Sequence, residues 1–176
     1  MKAIIPLLLG ALFIVSAQAA GSSSDIVSMV VDLNGDNISE KLSLQFSEPD
    51  ESNQYHATLL IESDGKIISE FLGGWFGPDF TRLDVLTIGQ NIKPFIVVDS
   101  AGGAHSENRQ IFRFNGKSIE KILNITSDVP SITESDVDGD GIVEIIAKQR
   151  DYNKDPIVDS REIVYKWDGA RFVKVK

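Results

Sequence analysis

The sequence predicts an all-β protein made of three similar units, each with four antiparallel strands. Short segments such as 41–46 (KLSLQF) alternate apolar and polar residues, which is the pattern of a strand with one buried face. Asn-Gly or Asp-Gly pairs separate such segments at three places, and their glycines, Gly65, Gly116 and Gly169, follow one another by 51 and 53 residues. No segment keeps the helical period of about 3.6 residues over three turns.

The first unit, residues 26–72, contains every element of the repeat. An incoming strand leads into an acidic loop, and a second strand leads through a polar loop into a hairpin. The Asp64-Gly65 pair marks the hairpin, because both central residues of a type I′ turn need positive φ angles. We predict strands over residues 26–31, 41–46, 56–62 and 66–71.

The second unit, residues 80–123, has the same order of strands but a different first loop. Residues 89–94 (GQNIKP) contain no carboxylate and include Lys93, so this segment is predicted to be a plain turn without a metal ion. Asn115-Gly116 marks the hairpin. The predicted strands are residues 82–88, 95–98, 110–114 and 118–122.

The third unit, residues 131–176, repeats the plan of the first. Its acidic loop begins at Asp136, which follows Asp32 of the first unit by 104 positions, and Asp168-Gly169 marks its hairpin. Its last two segments are rich in β-branched and aromatic residues, as strands are. The predicted strands are residues 131–135, 143–147, 162–167 and 170–175.

Four antiparallel strands in about 50 residues make up one blade of a β-propeller. Closed propellers usually contain at least about four blades, and this chain has three units. The sequence leaves two arrangements open. Either the blade-like units form a partial propeller or a propeller-like stack within one chain, or chains self-associate and close a ring.

Two nine-residue segments, 32–40 and 136–144, place oxygen-bearing side chains at positions 1, 3, 5 and 9. Ca²⁺ prefers about six to eight oxygen ligands, several of them carboxylates. The residue at position 7 can offer its backbone carbonyl while its side chain turns toward the core. Glycine or asparagine at positions 4 and 6 tolerates positive φ angles. The predicted ligands of two structural Ca²⁺ sites are Asp32, Asn34, Asp36, Ile38 and Glu40, and Asp136, Asp138, Asp140, Ile142 and Glu144.

An acidic turn without metal is the alternative for each segment, because Asp, Asn and Gly are also ordinary turn residues. Segment 136–144 carries four formal negative charges and segment 32–40 carries three. Affinity for Ca²⁺ rises with ligand charge in a preorganised loop, so we expect tighter binding in the third unit.

The position of the closing acid separates these segments from EF-hand loops, which close at position 12, where this chain has Ser43 and Ala147. A closing acid at position 9, followed at once by a strand, resembles the calcium loops of the FG-GAP or VCBS repeat family and of the integrin α-subunit β-propeller. The resemblance rests on residues 136–146 (DVDGDGIVEII), 32–44 and the hairpin 165–172 (YKWDGARF). It implies propeller-type repeats with structural Ca²⁺ and a role in binding or adhesion.

The N-terminus has the layout of a secretory signal peptide. Lys2 precedes an apolar run over residues 4–15, and Ala17-Gln18-Ala19 fits a cleavage site. We expect cleavage after Ala19, which leaves a single all-β domain over residues 20–176 in the periplasm or outside the cell. The formal net charge of −9 disfavours binding to nucleic acid or anionic membranes, and no later segment is long enough for a transmembrane helix.

No residue is assigned a catalytic role. His105 lies near Ser100 and Ser106, but no nucleophile-elbow pattern surrounds either serine. Trp75 and Phe76 pack between units or form a recognition patch for a glycan or peptide, and the sequence leaves both open. The polar loops 47–53, 100–108 and 151–159 are expected on one edge, as a partner surface.

The leading hypothesis is an exported, non-enzymatic binding or adhesion module stabilised by Ca²⁺, with an unidentified protein or glycan as ligand. Two rivals stay open. One is a hydrolase of the cell envelope, which would need a titratable group with a partner outside the acidic loops. The other is a structural subunit that completes a propeller with a partner.

Overall fold

The computed structural model describes residues 27–52, 54–73, 77–101, 106–128, 132–150 and 160–175. These residues form twelve strands in three four-stranded antiparallel sheets, and each sheet is a meander of consecutive strands. Apart from a 3₁₀ turn over Pro78–Phe80, they contain no helix. The predicted all-β class and the three four-stranded units are therefore confirmed.

The strand bounds follow the predicted ones closely. Sheet 1 consists of β1 (Val27–Val31), β2 (Glu40–Phe46), β3 (Ala57–Ser63) and β4 (Lys66–Phe71). Sheet 2 consists of β5 (Thr81–Leu86), β6 (Phe95–Ala101), β7 (Glu107–Phe114) and β8 (Ile119–Ser127). Sheet 3 consists of β9 (Thr133–Ser135), β10 (Glu144–Arg150), β11 (Ser160–Trp167) and β12 (Phe172–Lys174).

The three hairpin turns are of two kinds, although the sequence predicts the same type I′ turn for all. Asp64 and Gly65 both have positive φ angles, 50° and 70°, and alone connect β3 to β4. The other two connections are four residues long. In the first of these, Asn115 Oδ1 accepts the backbone N–H groups of Lys117 and Ser118, both at 2.9 Å. This side-chain bonding builds a wider turn in place of the two-residue turn.

Sheet 2 lies between the other two sheets and is covered on both faces. Ile96 and Val98 belong to an apolar cluster shared with sheet 1, whereas Phe95 and Val97 belong to a cluster shared with sheet 3. Residues 95–100 of β6 are all buried as a result. A strand that is covered on both faces has a nearly continuous apolar sequence, which explains why β6 lacks the alternation of apolar and polar residues seen in β2.

The face of sheet 1 that points away from sheet 2 is open to solvent and carries both polar and apolar side chains, among them Val30 and Ile67, which are 71% and 70% exposed. On β2, Leu42 and Leu44 face the core, while Lys41 and Gln45 are exposed on the opposite face. Glu62, the partner of Ile67 across the β3–β4 pair, is also exposed there. A ring of packed blades buries both faces of every sheet. The described residues therefore form a three-sheet stack, and the propeller stays a prediction.

Several predictions fall on residues outside the described ranges. They are the signal peptide over residues 1–19, the aromatic pair Trp75 and Phe76, His105, and all or part of the polar loops 47–53, 100–108 and 151–159. The described residues contain no helix that is long and apolar enough to span a membrane.

Candidate metal centre

The loops that connect the first and second strands of the three sheets meet at one end of the stack. We call residues 32–40 loop 1, residues 89–94 the middle turn, and residues 136–144 loop 3. Val143 donates its backbone N–H to the carbonyl oxygen of Ile88 at 2.7 Å, immediately before the middle turn. A Cβ placed on Gly89 would lie 3.2 Å from the carbonyl oxygen of Gly141. Loop 3 is thus held against sheet 2.

Loop 1 approaches the middle turn from the other side. A Cβ placed on Gly35 would lie 3.7 Å from Cε of Lys93, which belongs to the middle turn. As predicted, residues 89–94 form a turn, with Asn91 at a φ angle of 62°. The middle turn therefore brings a lysine side chain beside the first acidic loop.

Loops 1 and 3 follow the same backbone path. Position 4 is a glycine with a φ angle of 76° in both loops, at Gly35 and at Gly139. Position 6 also has positive φ, at 67° for Asn37 and 82° for Gly141. These positions are the ones that the sequence pattern reserves for residues tolerant of the left-handed region.

The first aspartate of each loop fixes this path by accepting backbone N–H groups. Asp32 accepts from Gly35 at 2.6 Å and from Asn37 at 2.8 Å. Asp136 accepts from Gly139 at 2.7 Å and from Gly141 at 2.9 Å. Desolvation acts to raise the pKa of Asp32, but the backbone donors outweigh it and hold the pKa below its ordinary value.

The closing glutamate of each loop is the first residue of the next strand and points back into the loop. Glu40 and Glu144 are only 1% and 2% exposed. Oε2 of Glu40 accepts the backbone N–H of Leu33 at 2.8 Å, and Oε2 of Glu144 accepts that of Val137 at 2.7 Å. One oxygen of each carboxylate therefore closes the loop, and the other faces its interior.

The interior of loop 3 is a cluster of carboxylates. Asp136, Asp138 and Glu144 each bring an oxygen to a common place where these atoms lie within 4.8 Å of one another. Oε1 of Glu144 is buried and has no hydrogen-bond partner. A buried carboxylate oxygen without a donor is costly, so this interior favours a cation.

An ammonium group enters the same interior. Lys166 on β11 donates to Asp138 and, at 2.7 Å, to Asp140, and its Nζ lies 3.7 Å from Oε1 of Glu144. The hydrogen bonds to Asp138 and Asp140 raise the pKa of Lys166, and the hydrogen bond from Lys166 is the main cause that lowers the pKa of Asp140. Four carboxylates thus share one internal positive charge.

The interior of loop 1 is satisfied by neutral donors instead. Asn34 Nδ2 donates to Oε1 of Glu40 at 2.8 Å, and the hydroxyl of Ser63 donates to the same oxygen at 3.3 Å. Asn34 Oδ1 accepts the backbone N–H of Asp36 at 2.9 Å. Among the described residues, the three acids of loop 1 do not converge as those of loop 3 do.

Strand register explains why Ser63 and Lys166 take corresponding places. Lys41 pairs with Glu62 in sheet 1, and Ile145 pairs with Tyr165 in sheet 3. The next residue along β3, Ser63, therefore lies opposite Glu40, and the next residue along β11, Lys166, lies opposite Glu144. Neither residue could be assigned to a loop from the sequence, because Lys166 follows Glu144 by 22 positions and no local pattern links the two.

Position 7 differs between the loops in a way that the sequence did not predict. The backbone N–H of Ile38 donates to Asp36 at 2.8 Å, and that of Ile142 donates to Asp140 at 2.9 Å. The side chain of Ile142 packs against the cluster shared by sheets 2 and 3. Ile38 is 54% exposed, so the expectation that its side chain turns into the core is wrong. The core between sheets 1 and 2 is filled instead by residues such as Leu33.

A second charged group, which the sequence pattern does not indicate, joins sheets 2 and 3. Arg109 is 2% exposed and donates to both oxygens of Asp99, at 2.6 and 2.8 Å. It also donates to Glu134 on β9. The buried guanidinium and the carboxylates on two sides of it form an ion-pair network that links the two sheets.

Comparisons of the chain with known proteins gave no match to a protein family, a curated protein or a solved structure. The resemblance of loops 1 and 3 to FG-GAP or VCBS calcium loops therefore stays a prediction.

Proposed function

We propose that this protein is an exported, calcium-stabilised β-repeat module that acts by binding and not by catalysis, with a structural Ca²⁺ in loop 3. The observation that carries the proposal is the buried Oε1 of Glu144, which has no hydrogen-bond donor and faces the converging oxygens of Asp136 and Asp138. A hard cation would give that oxygen the positively charged partner that it lacks.

The donor set of loop 3 fits Ca²⁺. Every side chain in it that can coordinate offers oxygen, and neither sulfur nor imidazole is present. Asp136, Asp138, Asp140 and Glu144 supply carboxylates, and the carbonyl of Ile142 supplies a neutral oxygen. Up to six oxygens are thus available if Glu144 binds through both of its oxygens, which is at the lower end of the range of about six to eight that Ca²⁺ takes.

Loop 1 is proposed as a weaker site of the same kind. Its ligands would be Asp32, Asn34, Asp36, the carbonyl of Ile38, and Glu40. The shared backbone path supports this assignment. The side-chain amide of Asn34 now donates to Glu40 and would have to turn so that its oxygen faces the ion. That rearrangement, together with one fewer carboxylate, lowers the affinity expected for loop 1.

The role of the ion is structural. Loop 3 bonds to the carbonyl of Ile88, so an ion there braces sheet 3 against sheet 2 beside the middle turn. A ligand that binds only the folded state raises the free energy of unfolding, by about 2.7 kcal/mol at a concentration 100 times its Kd.

Export and partner binding are proposed on separate grounds. The apolar run behind Lys2 supports export. Strands β2, β6 and β10 all run away from loop 1, the middle turn and loop 3, so their last residues, Phe46, Ala101 and Arg150, lie at the opposite end of the stack. Polar sequence follows each of these strands, which makes that edge the favoured surface for a protein or glycan ligand.

The test of the calcium proposal is thermal unfolding of the purified protein with chelator, Mg²⁺ or Ca²⁺. We expect Ca²⁺ at 100 times its Kd to raise Tm by about 5–10 °C for a domain of this size. Glu144→Gln should remove most of this rise. Glu62→Gln makes the same charge change on the exposed face of sheet 1 and should keep it. A Tm that is indifferent to Ca²⁺, with no ion detected by mass spectrometry, would overturn the proposal.

A further inference from the structure

We propose that the ammonium of Lys166 and the divalent cation compete for one position in loop 3, so that the lysine closes the site when the ion is absent and is displaced when the ion binds. The inference rests on the calcium site proposed above and concerns its regulation. Lys166 is then a built-in counter-ion that sets the affinity of the site.

The position of Nζ carries the argument. It donates to Asp138 and Asp140, two of the proposed ligands, and lies 3.7 Å from Oε1 of Glu144, a third. Nζ therefore stands among the oxygens that an ion would coordinate. Both the Lys166 ammonium and Ca²⁺ need these oxygens, and a carboxylate oxygen directed at one cation is no longer free for the other.

The equivalent position in sheet 1 shows that the fold does not require a lysine here. Ser63 lies opposite Glu40 as Lys166 lies opposite Glu144, and its short hydroxyl side chain reaches the closing glutamate without filling the loop. The lysine is therefore a feature of loop 3 alone, which has four carboxylates where loop 1 has three. The side chain of Lys166 is 28% exposed, so it has a path to solvent.

If the ion has to displace a lysine, the site should select divalent over monovalent cations. A monovalent ion would replace one positive charge by another and leave three of the four carboxylate charges uncompensated, as the ammonium does. A divalent ion leaves only two of the four uncompensated. The site should therefore reject Na⁺ and K⁺ more strongly than an empty acidic loop would.

The first experiment is calorimetric titration with CaCl₂ of the wild type, Lys166→Gln and Lys148→Gln. Lys148 lies on β10 of the same sheet and loses the same charge in its variant, but it is paired in register with Glu162 and lies outside loop 3. If the ammonium competes with the ion, Lys166→Gln should tighten Ca²⁺ binding by about tenfold, since two direct ion pairs no longer need to be broken. Lys148→Gln should leave the affinity within about twofold of wild type.

The second experiment tests displacement in the wild type, without any substitution. Lysines are acylated briefly with a water-soluble ester, with chelator or with saturating Ca²⁺, and each site is quantified by peptide mass spectrometry. In chelator, the ammonium of Lys166 is held by Asp138 and Asp140, so it should react slowly. Ca²⁺ should increase its labelling several-fold, while Lys148 and Lys41 change little.

The outcomes separate this inference from the proposed function. Equal Ca²⁺ affinity of wild type and Lys166→Gln, or unchanged labelling of Lys166, would overturn the competition and leave the calcium site standing. Absence of Ca²⁺ binding in both proteins would overturn both ideas. Binding by Lys166→Gln alone would support the competition and overturn the calcium proposal for the wild type, because the lysine would then be a permanent substitute for the ion.

Discussion

Loops 1 and 3 have the same backbone and opposite interiors. In loop 1, Asn34 and Ser63 donate to the inner oxygen of Glu40, so the buried carboxylate is paired without any cation. In loop 3, the inner oxygen of Glu144 has no hydrogen bond, and Lys166 supplies the positive charge. The backbone of such a loop is therefore set by its first aspartate, its closing glutamate and its two positive-φ positions. The remaining side chains decide whether the loop needs an ion.

The largest expected difference between the loops concerns the closing glutamates. With chelator present, Glu40→Gln should lower the free energy of unfolding by about 2 kcal/mol, because its new NH₂ group would face the donors Asn34 and Ser63. Glu144→Gln should stay within about 0.5 kcal/mol of wild type, because its NH₂ group would replace an oxygen that has no donor. Urea unfolding measures both values. Equal losses would show that the two interiors do not differ as described.

Exchanging the residues at position 3 of loops 1 and 3 tests whether this side chain decides if the loop needs an ion. Asn34→Asp removes the donor to Glu40 and puts a carboxylate beside it, so we expect a loss of about 1–2 kcal/mol in chelator. Because loop 1 then carries four carboxylates and Ser63 in place of a lysine, excess Ca²⁺ should restore this loss and raise Tm more than in wild type. Asp138→Asn should weaken the response of loop 3. If the change of Tm with Ca²⁺ were the same as in wild type for both variants, position 3 would not have this role.

A substitution in the middle turn should disturb loop 3 and spare loop 1. The Cβ of Gly89→Ala would lie 3.2 Å from the carbonyl oxygen of Gly141 and 3.4 Å from the side chain of Ile92. Loop 3 would have to shift by a few tenths of an ångström, which we expect to lower the free energy of unfolding by about 1 kcal/mol. Chemical-shift changes of backbone amides should concentrate at residues 136–144. Equal changes at residues 32–40 would contradict the asymmetry.

The smallest expected effect is in the titration of single aspartates. Asp140 and Asp32 both titrate below the ordinary pKa of 3.8, but hydrogen bonding to Lys166 is the main cause for Asp140, whereas backbone N–H groups lower that of Asp32. A depressed pKa in the folded state adds stability that is complete above pH 3.8 and is lost as the pH falls through the lower folded value. Lys166→Gln should raise the pKa of Asp140 and leave that of Asp32 unchanged, which carboxyl carbon NMR shifts measure.

Much of the fold followed from local patterns. Alternating apolar residues, or a continuous apolar run in the case of β6, located all twelve strands within five positions at either end. The hairpin turns were less predictable. The Asn115 side chain accepts two backbone N–H groups and builds a four-residue connection, which the Asn-Gly pair alone does not distinguish from a two-residue turn.

The sequence alone determined the three units, their strands and the path of both acidic loops, because these depend on side-chain periodicity and on hydrogen bonds between residues close in the chain. Only the tertiary structure decided that sheet 2 is buried on both faces, that Ile38 lies outside the core, and that Lys166 enters loop 3 where Ser63 borders loop 1. Strand register brings these residues together from distant positions, and a short-range pattern does not encode which side chain will face a given carboxylate.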